Sequence, residues 1–278
     1  NTASLSLDKQ LVNKYVAGGA EDAQHGREGY EFRVGEEAEY RLVLNNNQKG
    51  SIARNVVVSD TTIPEGLTLD ESSITVEGLP EMYTNPVAGT EDPACQLDPD
   101  HYKETSLEPV NVSTQAVKGG FQVMIDNLPC TTGDTLNNLN NPVVITYKCT
   151  VGEAVNGNVI INTAKAAADN ASEVRDSEKI WVNSPVLDLM KDSDRASYMV
   201  GDTITYQIDV TQDQTGCVAR EIQINDVIDT EGVKLQKNSI VLIDENGNKI
   251  QPAGVEVNGN SFTIHTGQNL IKTEGYTN

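Results

Sequence analysis

Aromatic residues make up only 5% of this 278-residue chain, and histidine occurs just three times, at His25, His101 and His265. Scattered histidines with no nucleophile motif give no support to an enzyme active site. No apolar run approaches the roughly 20 residues that a helical membrane span needs. The four cysteines, Cys95, Cys130, Cys149 and Cys217, form no CxxC pair, so neither a structural zinc nor any cofactor is implied. Basic residues are also scarce, 20 against 41 acidic ones, for a net charge of −21. Such a charge opposes binding to nucleic acid or to an anionic membrane surface. No signal-peptide pattern opens the chain, which reads as a processed or excised fragment, with a cytosolic protein as the other reading.

Cys149 continues the alternation Val143, Ile145, Tyr147, Cys149, Val151 and reads as a small core residue. Cys217 is expected to be free. Cys95 and Cys130 sit in loop-like contexts, "EDPACQLDPD" and "NLPCTTGD", and are the pair expected if any is bridged, since loops meet the geometric demands of a disulfide more readily than strand interiors.

What the chain does contain is period-2 alternation, repeated. "VGEEAEYRLVL" (34–44) matches "VGDTITYQIDV" (200–210) with Gly35/Gly201 and Tyr40/Tyr206 in register. The same offset carries Ala53 to Ala219, Arg54 to Arg220, Asp60 to Asp226 and Gly66 to Gly232. Upstream, "LSLDK" (5–9) corresponds to "LDLMK" (187–191), and downstream Phe121 corresponds to Phe262. A constant register with matching periodicity predicts two homologous domains. The shifts in offset place two loop insertions in the first domain, one around "AGGAEDAQHGREGYE" and one in the Pro-rich stretch 80–118.

Alternating segments such as "EYRLVL", "NVVVSD", "VVITYKCTV" and "NVIINTA" predict an all-β protein. "TAKAAADNASE" alone could pass as a helix, and it directly continues a strand pattern. "DENGNK" (244–249) has the Asn-Gly of a tight hairpin and lacks the downstream glutamate of a calcium loop. Many short strands separated by turn signals favour two tandem immunoglobulin-like β-sandwich domains. Their expected limits are 1–184 and 185–278, joined near "VNSPV" (182–186), with the second domain lacking its C-terminal strands.

Strand parity then exposes three polar residues on apolar faces. Lys9 shares a face with Leu5, Leu7 and Leu11; Asp60 with Val56 and Val58; Asn162 with Ile160 and Ala164. The second domain repeats two of them, Lys191 with Leu187 and Leu189, and Asp226 with Ile222 and Ile224. Unpaired burial of such groups is costly. One explanation is a buried Lys–Asp ion pair with Asn162 as a neighbour, or strand ends that reach solvent. The other is a spontaneous amide cross-link. An apolar interior favours a neutral lysine amine and a neutral carboxylic acid, the amine can attack a carboxamide, and the acid can polarise that carboxamide and help ammonia leave.

"LSLDK", "VGEEAEY", "VVVSDTTIPEGL" and "INTAKA" together resemble the isopeptide-forming domains of Gram-positive fimbrial shaft proteins and surface adhesins. The resemblance covers most of residues 5–165. It implies that Lys9 and Asn162 form the cross-link with Asp60 as the catalytic acid, and that Lys191 and Asp226 hold the matching positions in the second domain. It further implies an extracellular location on a bacterial cell surface, wall-anchored through segments outside this chain, with neighbouring domains of the same surface protein as partners. The chain has no sortase signal of the Leu-Pro-x-Thr-Gly type and no pilin-type lysine motif, which favours a stalk or adhesin repeat over a polymerising pilin. The competing expectation is a binding module that recognises a host protein or glycan through the 80–118 insertion.

Overall fold

A computed structural model describes residues 2–12, 31–86, 105–134, 136–214 and 217–272. They form β-strands and connecting turns, with no α-helix among the described residues and only single 3-10 turns at Glu153–Val155 and Lys237–Ser239. The described residues fall into two compact units, 2–182 and 183–272.

The described residues of the first unit form twelve strands: β1 (Leu5–Leu11), β2 (Glu31–Phe32), β3 (Glu37–Asn46), β4 (Ile52–Asp60), β5 (Leu67–Glu77), β6 (Met82–Pro86), β7 (Thr105–Pro109), β8 (Val112–Val117), β9 (Gly120–Pro129), β10 (Val143–Val151), β11 (Val159–Ala168) and β12 (Ala171–Val182). One sheet runs β1-β3-β10-β5 and a second runs β2-β12-β11-β4-β9-β8. The alternation read in the sequence becomes an alternation of burial. Ala38, Tyr40, Leu42 and Leu44 on β3 and Val143, Ile145, Tyr147 and Cys149 on β10 are fully enclosed. So are Val56 and Val58 on β4 and Phe121, Val123 and Ile125 on β9, and the two inner faces share one core.

Two stretches gain detail from the structure. "TAKAAADNASE" is the β11–β12 hairpin, its turn fixed by Asn170, whose amide donates to the Ile52 carbonyl and whose Oδ1 accepts from the Arg54 N–H. The 80–118 insertion is not simply a loop. Its described residues supply β6 and β7, which pair with each other, and β8, which extends the second sheet beside β9. The Arg54 guanidinium fastens the β6–β7 hairpin by donating to the Tyr83 hydroxyl at 3.0 Å and to Asn85 Oδ1 at 2.8 Å, while Glu108 accepts from both of those residues. Hydrogen bonds to one guanidinium outweigh the Pro-rich composition that suggested a loop. The insertion around "AGGAEDAQHGREGYE" lies almost wholly outside the described residues.

The second unit holds β13 (Leu187–Ser193), β14 (Tyr206–Gln212), β15 (Cys217–Ala219), β16 (Gln223–Val227), β17 (Leu242–Ile243), β18 (Lys249–Ile250), β19 (Gly254–Asn258), β20 (Ser261–His265) and β21 (Leu270–Lys272). Its ladders copy those of the first. Lys9 faces Leu42 and Lys191 faces Ile208; Asp60 faces Phe121 and Asp226 faces Phe262. Even a backbone irregularity recurs, since Asn55 and Glu221 both take left-handed conformations, with φ of 50° and 52°. In the first unit this residue resets the alternation, so that Ala53 and then Val56, Val58 and Asp60 are buried. "DENGNK" is the β17–β18 hairpin, closed by backbone N–H groups of Asn246 and Asn248 donating to Asp244 Oδ1.

Burial separates the units. The buried cluster of the second consists of Ala219, Ile222, Ile224 and Ile264, while Leu187, Leu189 and Met190 on β13 are more than half exposed. Few buried apolar contacts mean low resistance to local opening. Amide hydrogen exchange is therefore expected to reach β13 and β14 early, while β3, β4 and β10 stay protected up to global unfolding. Equal protection in both sets would contradict this reading of the burial pattern.

Candidate functional site

β1 carries Lys9, β4 ends at Asp60, and β11 carries Asn162, so the three residues come from both sheets into one core. Parity is the reason. Each follows apolar residues of the same face, and each is buried: Lys9 is 3% exposed and Asp60 and Asn162 are fully enclosed. Two glycines hold the end of β4. A side chain on Gly120 would place its Cβ 1.7 Å from the Asp60 carbonyl oxygen, and one on Gly119 would come within 2.6 Å of the Thr61 carbonyl. Only a bare backbone lets β9 pass this closely. On the other side, the Lys9 N–H donates to Asp176 Oδ2 on β12 at 2.7 Å, tying β1 to the second sheet.

Inside the core, Lys9 Nζ donates to Asp60 Oδ2 at 2.7 Å, and neither side chain has any solvent exposure. Lys9 Nζ also donates to the Tyr147 hydroxyl at 2.8 Å, and Asn162 Nδ2 donates to the same oxygen at 3.1 Å. The Tyr147 hydroxyl in turn donates to Asp60 Oδ2. One phenol oxygen thus touches the amine, the carboxylate and the carboxamide. Aromatic rings close the pocket. Tyr40 and Tyr147 stack with centroids 5.3 Å apart, Phe121 meets Tyr147 edge-on at 4.8 Å, and Lys9 Nζ lies 4.9 Å from the Tyr40 centroid.

Burial sets the protonation of this cluster. Loss of solvent lowers the Lys9 pKa, against the opposing attraction of Asp60. It raises the Tyr147 phenol well above its ordinary value, with the Asp60 charge and hydrogen bond adding to the rise. The Tyr40 phenol is raised for the same first reason, with Cys149 and Asp60 contributing and Asn162 opposing. Burial pushes the Cys149 thiol up to about 12, which keeps it an uncharged core residue. Asp60 Oδ1 and Asn162 Oδ1 are buried without hydrogen-bond partners, as is the Tyr40 hydroxyl. Leaving such acceptors unmatched costs about 1–3 kcal/mol each.

Sequence parity found Lys9, Asp60 and Asn162 but not Tyr147, which reads as one more core residue of an alternating strand. The available signal was chemical, because a buried tyrosine hydroxyl needs a partner, and Lys9, Asp60 and Asn162 were polar groups on inward faces.

In the second unit Lys191 Nζ donates to both oxygens of Asp226 at 2.7 Å and lies 4.7 Å from the Tyr206 centroid. This reproduces the Lys9, Asp60 and Tyr40 arrangement, with a difference in solvent. The Lys191 and Asp226 side chains are 33% and 14% exposed, so the enclosed pair expected from parity is here a partly solvated one. Strand parity selects a face, and enclosure then depends on what covers it. Cys130, Cys149 and Cys217 are buried, and Cys95, the other half of the expected bridge, lies outside the described residues.

No protein-family model matches the chain, and no curated protein sequence does. Among solved structures it is similar to the pilus backbone RrgB of Streptococcus pneumoniae, at 17% identity over 58% of this chain and 50% of that one, with a TM-score of 0.32. It is also similar to the major pilin SpaA of Corynebacterium diphtheriae, at 18% identity over 67% of this chain and 40% of that one, with a TM-score of 0.32. A third similarity is to the C-terminal domain of the AgI/II polypeptide BspA of Streptococcus agalactiae, at 13% identity, 93% and 83% coverage, and a TM-score of 0.41. The chain therefore spans half the length of the pneumococcal protein and 40% of the corynebacterial one.

Proposed function

We propose that this chain is a structural module of a bacterial cell-surface stalk or adhesin, built of tandem immunoglobulin-like domains, whose first domain is locked by an amide bond between Lys9 and Asn162. One observation carries the reading. An amine, a carboxyl group and a carboxamide share a fully buried, aromatic-walled pocket, with an oxygen of both the carboxyl group and the carboxamide left without a partner. A structural ion pair needs no carboxamide, and a packed core would not strand two acceptors beside an available proton.

The chemistry balances without a cofactor. Lys9 passes a proton to Asp60 across their 2.7 Å contact, giving a neutral amine and a neutral acid. The amine lone pair forms a bond to Asn162 Cγ, and the acid proton stabilises the charge that develops on Asn162 Oδ1. The attacking nitrogen then gives up a second proton, the leaving nitrogen gains one, and the Cγ–Nδ2 bond breaks as the carbonyl re-forms, releasing ammonia while Asp60 keeps the proton it took from Lys9. Fixed neighbours in a core make such a step effectively unimolecular.

The bond would join β1 to β11, so tension entering β1 would pass through a covalent link rather than a hydrogen-bond ladder. This supports a mechanical role better than an enzymatic one. The reading is tested by tryptic digestion. Trypsin cannot cleave after an acylated Lys9, so the digest should contain one branched peptide joining residues 1–14 to residues 149–165. Recovery of those two segments as separate peptides, with cleavage after Lys9, would remove it.

A further inference from the structure

Within that reading, one step has no assigned carrier. When the Lys9 amine adds to Asn162 Cγ, the attacking nitrogen becomes positive, and the departing nitrogen must gain a proton before it can leave. Asp60 makes no hydrogen bond to Asn162 among the described residues. The atom within hydrogen-bond distance of both nitrogens is the Tyr147 hydroxyl oxygen, 2.8 Å from Lys9 Nζ and 3.1 Å from Asn162 Nδ2. We propose that Tyr147 is a catalytic residue, whose hydroxyl carries a proton from the attacking nitrogen to the leaving nitrogen.

The polarity of the contacts makes this possible. Before attack, the carboxamide nitrogen is planar and only donates, so Tyr147 accepts from it. After attack Cγ is tetrahedral, Nδ2 regains a lone pair and becomes an acceptor. Tyr147 then gives its proton to Nδ2 while taking one from Nζ. The intermediate changes from an ammonium on Lys9 and an alkoxide to an alkoxide and an ammonium on the former Asn162 nitrogen. Re-forming the carbonyl expels ammonia, and the phenol ends as it began. Burial and the adjacent Asp60 disfavour a phenolate, which suits a group that exchanges protons without holding a charge. The stack on Tyr40 and the edge contact from Phe121 fix the ring, so the oxygen stays between the two nitrogens.

The test follows intact mass over time after cell-free synthesis, comparing wild type with Tyr147→Phe. The phenylalanine keeps the ring and both aromatic contacts. Loss of ammonia should slow by roughly 10²–10⁴-fold, the usual contribution of a positioned acid–base group. A second protein carrying 3,5-difluorotyrosine at position 147 retains ring and hydroxyl but changes phenol acidity, and its rate should differ from wild type. This arm covers the case in which Tyr147→Phe fails to fold. Wild type losing ammonia while Tyr147→Phe, or the fluorinated protein where the phenylalanine variant does not fold, loses it equally fast would overturn the relay and leave the cross-link standing. Wild type that never loses ammonia would overturn both.

Discussion

Asn162→Ala should lower the melting temperature by about 10–20 °C while leaving the fold intact. The substitution removes the acceptor carbonyl together with the buried Nδ2 hydrogen bond to Tyr147, while Lys9 and Asp60 keep their mutual contact. What is lost is a covalent loop of well over a hundred residues between β1 and β11. Closing a loop of 100 residues is worth about 4.7 kcal/mol in the chain-entropy model. For a domain of this size each kcal/mol moves the midpoint by roughly 2–4 °C. The measurement is thermal denaturation followed by circular dichroism, with protease resistance as a second readout. A shift of only a few degrees would mean that β1 and β11 are held by packing alone.

Asp60→Ala should be the most damaging single change in the molecule. It abolishes the bond for want of an acid, and it strands the Lys9 amine in a fully enclosed pocket. Breaking a buried pair by removing one partner costs about 3–5 kcal/mol, in addition to the lost loop closure. The combination Lys9→Met with Asp60→Leu removes both charges and should recover the ion-pair part of that loss but not the covalent part, because apolar replacements of a buried pair are tolerated. Urea denaturation should therefore rank wild type first, the double variant close to Asn162→Ala, and Asp60→Ala last. If Asp60→Ala matched Asn162→Ala, the lysine would not be paying for its isolation, and the enclosed ion pair would not describe the unbonded state.

Much of this was legible in the sequence because parity is a geometric rule. "LSLDK" and "NVIINTA" fix which side chains share a face whatever the neighbouring strands do, and Lys191 and Asp226 repeat the placement of Lys9 and Asp60. Other features needed three dimensions. Glu221 gives no sign of its left-handed backbone, although its counterpart Asn55 is a residue type that tolerates it. The strands β6 to β8 were hidden because prolines punctuate the stretch, while the Arg54 hydrogen bonds that hold β6 and β7 come from β4. Tyr147 was visible only as a core tyrosine, since its position between three polar groups depends on β1, β4 and β11 converging on β10. The different solvation of Lys191 also lies beyond parity, which cannot say whether a face is covered.

The most direct measurement is the intact mass of the folded, reduced wild-type protein, taken beside Lys9→Met, Asn162→Ala and Asp60→Ala. The account predicts a wild type lighter than its sequence by one ammonia, and all three variants at full sequence mass. A correctly folded wild type at full mass would contradict it, and Lys9 and Asp60 would then be a buried ion pair and nothing more.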